Sequence, residues 1–187
     1  KIENNYPEFD GLNLTWETLE GIVKHNGPLP KTKSYYLKEY NKKHDLEFAT
    51  FASCEAQVAA IADDIAYSNH DLSDGLRAGL FNVHDLIQLP IVGTCFRNVD
   101  VSYPRVDEHR RRHEVFRRVL SIMVEDVLSE SRKNLKNCSG MKAEGIRKQS
   151  KSMINFSESL LKDLKKIKSF LFERMYRHWK VNRMRFK

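Results

Sequence analysis

Asp63, Tyr67 and Asp71 are the residues whose types and spacing offer chemistry most directly, because they recur at i, i+4 and i+8. They lie in residues 55–71, a stretch rich in Ala, Ile and Val with neither Pro nor Gly. On a helix of 3.6 residues per turn, steps of four leave the three side chains on one slowly drifting stripe. Val58, Ile61, Ala62 and Ile65 cluster on a different face, and Ala56, Ala59 and Ala60 share the side of the acidic stripe. The pattern predicts a helix buried on both sides. A carboxylate in such a helix needs a metal, a base or a hydrogen-bond network to compensate its burial. A tyrosine and a second acid one and two turns further along would line the same cavity. On spacing alone the simpler reading is a solvated or salt-bridged Asp63 with the alanines packed against a neighbouring helix, since structural ion pairs also hold acids in such places.

Other groups could do chemistry on type alone. Three His-Asp dipeptides occur, at His44-Asp45, His70-Asp71 and His84-Asp85. His109 and His113 have the helical spacing of a metal-ligand pair. Arg110, Arg111 and Arg112 lie between them, and that positive charge disfavours a cation, so a solvated basic face or a phosphate contact fits better. Arg177 and His178 form a basic helix end. The motifs of a P-loop, a GxGxxG loop or a nucleophilic triad are not present. Cys54, Cys95 and Cys138 are odd in number, widely spaced and form no CxxC pair, which supports neither a disulfide framework nor a zinc knuckle. A reducing cytoplasm is the expected setting.

The elements that must position these residues have helical period. Residues 14–23 read as a helix capped by Asn13 or Thr15 and ended by 27–30, Gly-Pro-Leu-Pro. Residues 31–50 are polar and basic and read as a loop with at most a helical turn. Residues 52–70 read as a strong helix, and 71–74 as a fresh helix start. Residues 109–128 form a second strong helix, with Phe116, Val119, Leu120, Met123 and Val127 on one side. A last long helix is expected over about 153–175, with Phe156, Leu160, Leu164, Ile167 and Leu171 at spacings of three and four and Lys162, Lys165, Lys166 and Lys168 as a solvated face. No alternating strand pattern or internal repeat is visible, and the fold class is all-α. The 187 residues carry a formal net charge of +7, with the acidic excess early and the basic excess from Arg105 onward. That balance suits a polyanionic partner such as nucleotide, nucleic acid or a phosphate-rich surface. No apolar run is long enough to span a membrane, and the first residues lack the plan of a signal peptide. Beginning at Lys1 rather than Met, the chain is expected to be a fragment or a processed product.

Residues 55–81, EAQVAAIADDIAYSNHDLSDGLRAGLF, resemble the core segment of bacterial dGTPase-like deoxynucleoside triphosphate triphosphohydrolases, members of the HD-domain superfamily. The resemblance continues at Gly11–Thr15 through Gly21–Lys24, similar to the helix after the HD region, and at 170–178, similar to the family's C-terminal helix. It covers nearly the whole chain, and the central motif is long. It implies a multi-helix HD-type fold in which 1–187 is the C-terminal portion of one domain, with 1–90 the distal half of the HD core and 91–187 a C-terminal helical region. It also implies metal-dependent hydrolysis of a dGTP-like dNTP to deoxynucleoside and inorganic triphosphate. The cofactor implied is a divalent metal ion such as Mg or Mn, which polarises a phosphoryl oxygen or activates water. By motif position Asp63 matches the family's final metal-ligating Asp, Tyr67 the tyrosine that packs on the deoxyribose, and Asp71 the acid near the 3′-hydroxyl. Lys24 and Lys33 sit where the family has phosphate-contacting lysines, and on charge alone each fits an ordinary surface lysine as well.

The family's first His and its His-Asp pair belong upstream of residue 1, so no catalytic residue is assigned within this chain. His44-Asp45 lies in a polar loop, His70-Asp71 belongs to the final-Asp motif, and His84-Asp85 follows it in the wrong order; His44 and His84 read as incidental. The resemblance further implies a homo-oligomer acting on a dNTP. An alternative from another class is a catalytically inactive basic helical module that binds nucleotide or single-stranded nucleic acid through its charge and aromatics such as Trp16, Tyr35, Tyr36 and Trp179. Core packing is the simpler expectation for those aromatics.

Overall fold

The computed structural model describes residues 7–8, 12–32 and 34–185. Among these residues there is helix and no strand, so the chain is all-α. The helices are α1 (Trp16–Val23), α2 (Tyr35–Lys43), α3 (Cys54–Arg77), α4 (Val83–Ile87), α5 (Val92–Ser102), α6 (Glu108–Lys136), α7 (Ala143–Arg147), α8 (Glu158–Leu171) and α9 (Trp179–Arg185), with a π-helical turn at Phe172–Tyr176 after α8. The chain forms two compact units, one from Lys1–Ile61 and Lys133–Ile154, the other from Ala62–Arg132 and Asn155–Lys187.

In the first unit, α1 begins where Thr15 Oγ1 accepts from the Thr18 amide, one of the two expected caps. It ends at Lys24, and Gly27 turns the chain with φ 97°, a region open to glycine. α2 corrects the loop expected over 31–50. Ser34 caps it, but none of its residues is buried, so it carries no apolar period to read. Gln57 organises the rest. Its Oε1 accepts from Ser152 Oγ at 2.8 Å and from the Met153 and Ile154 amides at 2.9 and 3.1 Å, while its Nε2 donates to the Ala52 carbonyl at 2.8 Å. One buried amide thereby satisfies two backbone N–H groups that would otherwise be costly to bury.

In the second unit, α4 starts with a capping box in which the Asn82 side chain and Asp85 satisfy each other's amides. Ile91, between α4 and α5, has φ 63° and ψ −62°, and the Val92 amide donates to the Pro90 carbonyl at 2.6 Å. This is a γ-turn of the strained hand. α5 packs Val92, Cys95, Phe96 and Val99 inward, and Gly93 is required there because a Cβ would meet the Ile87 carbonyl oxygen at 2.1 Å. α6 buries Val115, Phe116, Val119, Met123 and Val127. Leu120, expected on that side, is partly exposed. α8 buries Leu160, Leu164, Ile167 and Leu171 and exposes Lys162, Lys165, Lys166 and Lys168, as its pattern requires. It begins at Glu158 rather than near 153, because Asp126 accepts from both the Ser157 amide and its hydroxyl, at 2.8 and 2.7 Å, and Ser157 caps the helix.

Candidate functional site

α3 is one continuous helix of 24 residues, so 71–74 is not a fresh start. Asp71 and Asp74 resemble caps in type, but Leu72 is fully buried and the helix runs on to Arg77. The buried stripe of α3 holds Gln57, Ile65, Ser68 and Leu72, with Ile61 half-buried. The expected apolar face is therefore displaced. Val58 is 49% exposed, and Ala59, Ala62 and Asp63 are exposed as well. α3 is buried on one side, not two, and the open side carries the acidic stripe.

The three candidate residues of α3 occupy graded positions along that stripe. Asp63 is exposed. Tyr67 is 60% exposed. Asp71 is half-buried and accepts a short hydrogen bond from the Tyr176 hydroxyl. The Tyr176 phenol is pushed above its ordinary range by burial first, then by its bond to Asp71, then by the charges of Asp71 and Tyr67. Tyr176 thus stays a donor to the carboxylate. The π turn delivers this tyrosine, and such turns are frequent at functional sites. Beside it Lys168 reaches both oxygens of Asp64 at 3.0 Å, and Arg174 pairs with Asp85 at 3.4 Å. α8 and its π turn therefore present a lysine, an arginine and a tyrosine to acids on and after α3. Tyr176 lies in the 170–178 segment that resembles the family's C-terminal helix, but it was not singled out because it is 105 residues from Asp71 and nothing in its own segment points to that partner.

Lys24 lies in the first unit and is 2% exposed, so it is not a surface lysine. Its ammonium donates to Glu20 Oε1 at 3.0 Å and to Thr50 Oγ1 at 2.8 Å. Arg147 Nε donates to both Glu20 oxygens at 3.0 and 3.1 Å, and the Trp16 ring lies under both cations, at 5.9 Å from Lys24 and 4.9 Å from Arg147. Lys33 lies outside the described residues, as does Gly11. The expectation of packed aromatics holds for Trp16, which is half-buried and donates to the Asp45 carbonyl at 2.8 Å. It fails for Tyr35, Tyr36 and Trp179, which are exposed. The first two stand on α2, which has no buried residue.

Among the described residues no three His, Cys, Asp or Glu side chains gather as a metal-ligand set. Asp63 offers a single carboxylate, and the described residues do not by themselves make a metal centre. His44 and His84 are exposed and make no such cluster. Among the described residues, too, no helix is long and apolar enough to cross a membrane.

An all-helical chain with an acid, a tyrosine and a second acid along one open helix face is the class that fold and site define. Comparison with known proteins narrows it. No family model matches. The chain is 53% identical over 176 residues to a deoxyguanosinetriphosphate triphosphohydrolase-like protein of Roseobacter denitrificans, covering 94% of this chain and 46% of that protein. Proteins of the same name from Parvibaculum lavamentivorans and a Caulobacter species are 49% and 46% identical over 98% and 99% of the chain, which covers 48% of each. The chain is thus similar over nearly all its length to deoxyguanosinetriphosphate triphosphohydrolase-like proteins, and it spans about half the length of the curated relatives it matches.

Proposed function

We propose that this chain supplies part of the active site of a metal-dependent deoxynucleoside triphosphate triphosphohydrolase, which converts a dGTP-like dNTP to deoxynucleoside and inorganic triphosphate. The observation that carries the reading is the acid–tyrosine–acid stripe of α3, with Asp71 fixed by Tyr176, in a chain about half identical to relatives of that name. In this reading Asp63 is one ligand of a divalent metal, and the remaining ligands come from outside this chain. Tyr67 packs against the deoxyribose, and Asp71, oriented by Tyr176, accepts from the 3′-hydroxyl. A tyrosine and an acid close to the sugar disfavour the extra 2′-hydroxyl of a ribonucleotide. Lys24 and Lys33 serve as phosphate contacts; for Lys24 this requires exchanging its bonds to Glu20 and Thr50 for phosphate oxygens. Homo-oligomeric assembly and a cytoplasmic location belong to the same reading.

The test is triphosphate release from dGTP and GTP, with Mg2+ or Mn2+, by the protein at its natural length. Cleavage of dGTP but not GTP, abolished by Asp63→Ala, is the expected result. The exposed aromatics Tyr35, Tyr36 and Trp179, on a chain of net charge +7, favour one second reading, an inactive module that binds single-stranded nucleic acid. A natural chain inert toward every dNTP, whose oligonucleotide binding falls steeply with salt, would establish that reading instead.

A further inference from the structure

Three charged side chains are buried together in the first unit, and their charges do not balance. Glu20 and Lys24 have no exposed side-chain surface, and Arg147 keeps 12%. Lys24 Nζ donates to Glu20 Oε1 at 3.0 Å, and Arg147 Nε donates to the same oxygen at 3.0 Å and to Oε2 at 3.1 Å. Two cations thus share one carboxylate. The surplus positive charge rests on neutral neighbours. Thr50 Oγ1 accepts from Lys24 at 2.8 Å and itself donates to the Glu47 carbonyl at 2.9 Å. Trp16 offers its ring face to both cations. Arg147 is also fixed through its backbone, because its carbonyl accepts from the Phe51 amide at 2.9 Å.

This arrangement differs from a simple buried ion pair. In a pair, withdrawal of the cation leaves the carboxylate uncompensated in the interior, which is strongly unfavourable. Lys24 alone on Glu20 would for that reason be locked in place. Here Arg147 holds both Glu20 oxygens and keeps the carboxylate compensated whether or not Lys24 stays. A guanidinium suits that task, since it stays charged and presents a rigid planar fork of donors, whereas a lysine is a point charge on a flexible stem. Lys24 is therefore the cation of the two that can leave at the smaller cost. Two like charges on one oxygen also repel each other, and an anion outside the cluster would take up the surplus.

We propose that Arg147 is a positioning residue for Lys24: by retaining Glu20, it releases the Lys24 ammonium to the phosphate oxygens of the substrate. The inference rests on the reading of Lys24 as a phosphate contact. It adds that the strength of this contact is set by Glu20 and Arg147, neither of which touches the substrate.

The test is dGTP binding by the protein at its natural length, read by titration calorimetry in EDTA so that no turnover occurs, together with kcat and KM in Mg2+. The variants are Lys24→Met, Arg147→Met, Arg147→Lys and the double Lys24→Met/Arg147→Met. Arg147→Met leaves Glu20 paired one to one with Lys24, so circular dichroism should show a folded chain. Arg147→Gln, which keeps a neutral donor for Glu20, takes its place if it does not. Lys24→Met should weaken dGTP binding about tenfold or more, and Arg147→Met by a comparable factor, with KM raised and kcat little changed. Arg147→Lys should restore most of the loss, because a second cation again holds Glu20. The double variant should bind no worse than Lys24→Met, since both residues act through one contact. Binding unchanged in Arg147→Met but weakened in Lys24→Met would overturn the inference and leave the phosphate reading standing. Losses that add in the double variant would also overturn it, as the mark of a merely structural arginine. Unchanged binding in Lys24→Met would instead remove the phosphate role of Lys24 itself, and the inference with it.

Discussion

At the scale of single residues, two carboxylates, the half-buried Asp71 and the buried Glu20, gather the most consequential contacts. Asp71 relies on Tyr176 for its donor, and a hydrogen bond to a charged group is worth about 1.5–3 kcal/mol. Tyr176→Phe should therefore lower stability by about 2 kcal/mol in urea melts, and in the proposed enzyme it should raise KM for dGTP more than it lowers kcat. Glu20 is the counter-charge of Lys24 and Arg147, with no exposed side-chain surface on Glu20 or Lys24. Glu20→Gln strands buried cations and should cost about 3–5 kcal/mol. Glu20→Leu/Lys24→Met should recover much of that, because well-packed apolar residues often replace a buried pair without loss. No recovery would mean that Arg147 needs Glu20 even after Lys24 is gone. That Asp63, Tyr67 and Asp71 share one side of a helix was legible in the sequence, because helical geometry fixes a spacing of four. Tyr176 and Arg147 were not, because nothing in their own segments announces partners more than a hundred residues away.

Among the elements, α6 shows most plainly how charge supports a helix. Asp107 is held down at about 2, chiefly by the Arg110 amide and then its side chain. Glu114 is held down from 4.5 to about 2, first by its bond to Arg117 and then by Arg118. Both shifts are depressions, so the stability they contribute is fully present above about pH 4.5 and is lost as pH falls toward 2. The pairs are solvent-exposed, so the effect is modest and screened by salt. Thermal melts between pH 5 and 2 should show this loss, and Glu114→Gln should flatten it; an unchanged slope would mean that these pairs contribute nothing. α6 and α8 were readable because their buried residues recur every three or four positions. α2 was not, having no buried face. The buried face of α3 was misread by about one position, since Gln57 and Ser68 are polar and still point inward, Gln57 to bind backbone amides.

For the whole molecule, the all-α class followed from periodicity, whereas the two compact units could not be read from the sequence. Each unit is assembled from two separated stretches, and no run of Gly, Pro or Ser marks their limits. The second unit depends on α8, which contributes Leu160, Leu164, Ile167 and Leu171 to its core. A single buried leucine lost to alanine costs about 2–5 kcal/mol, so removing four exceeds the stability of an ordinary domain. A chain ending at residue 154 should lose cooperative melting of α3–α6 by circular dichroism, whereas removal of α9 alone should leave it.

Gln57 waits on residues that the ribosome makes much later. Its three acceptor bonds join position 57 to positions 152–154, across nearly a hundred residues of chain. At about 5–20 residues per second, that interval amounts to several seconds of translation. Throughout it the N-terminal stretch exists without the segment that completes its unit. The nascent chain therefore cannot fold in the order in which it emerges. Its early helices are exposed to chaperones and proteases until the second half arrives.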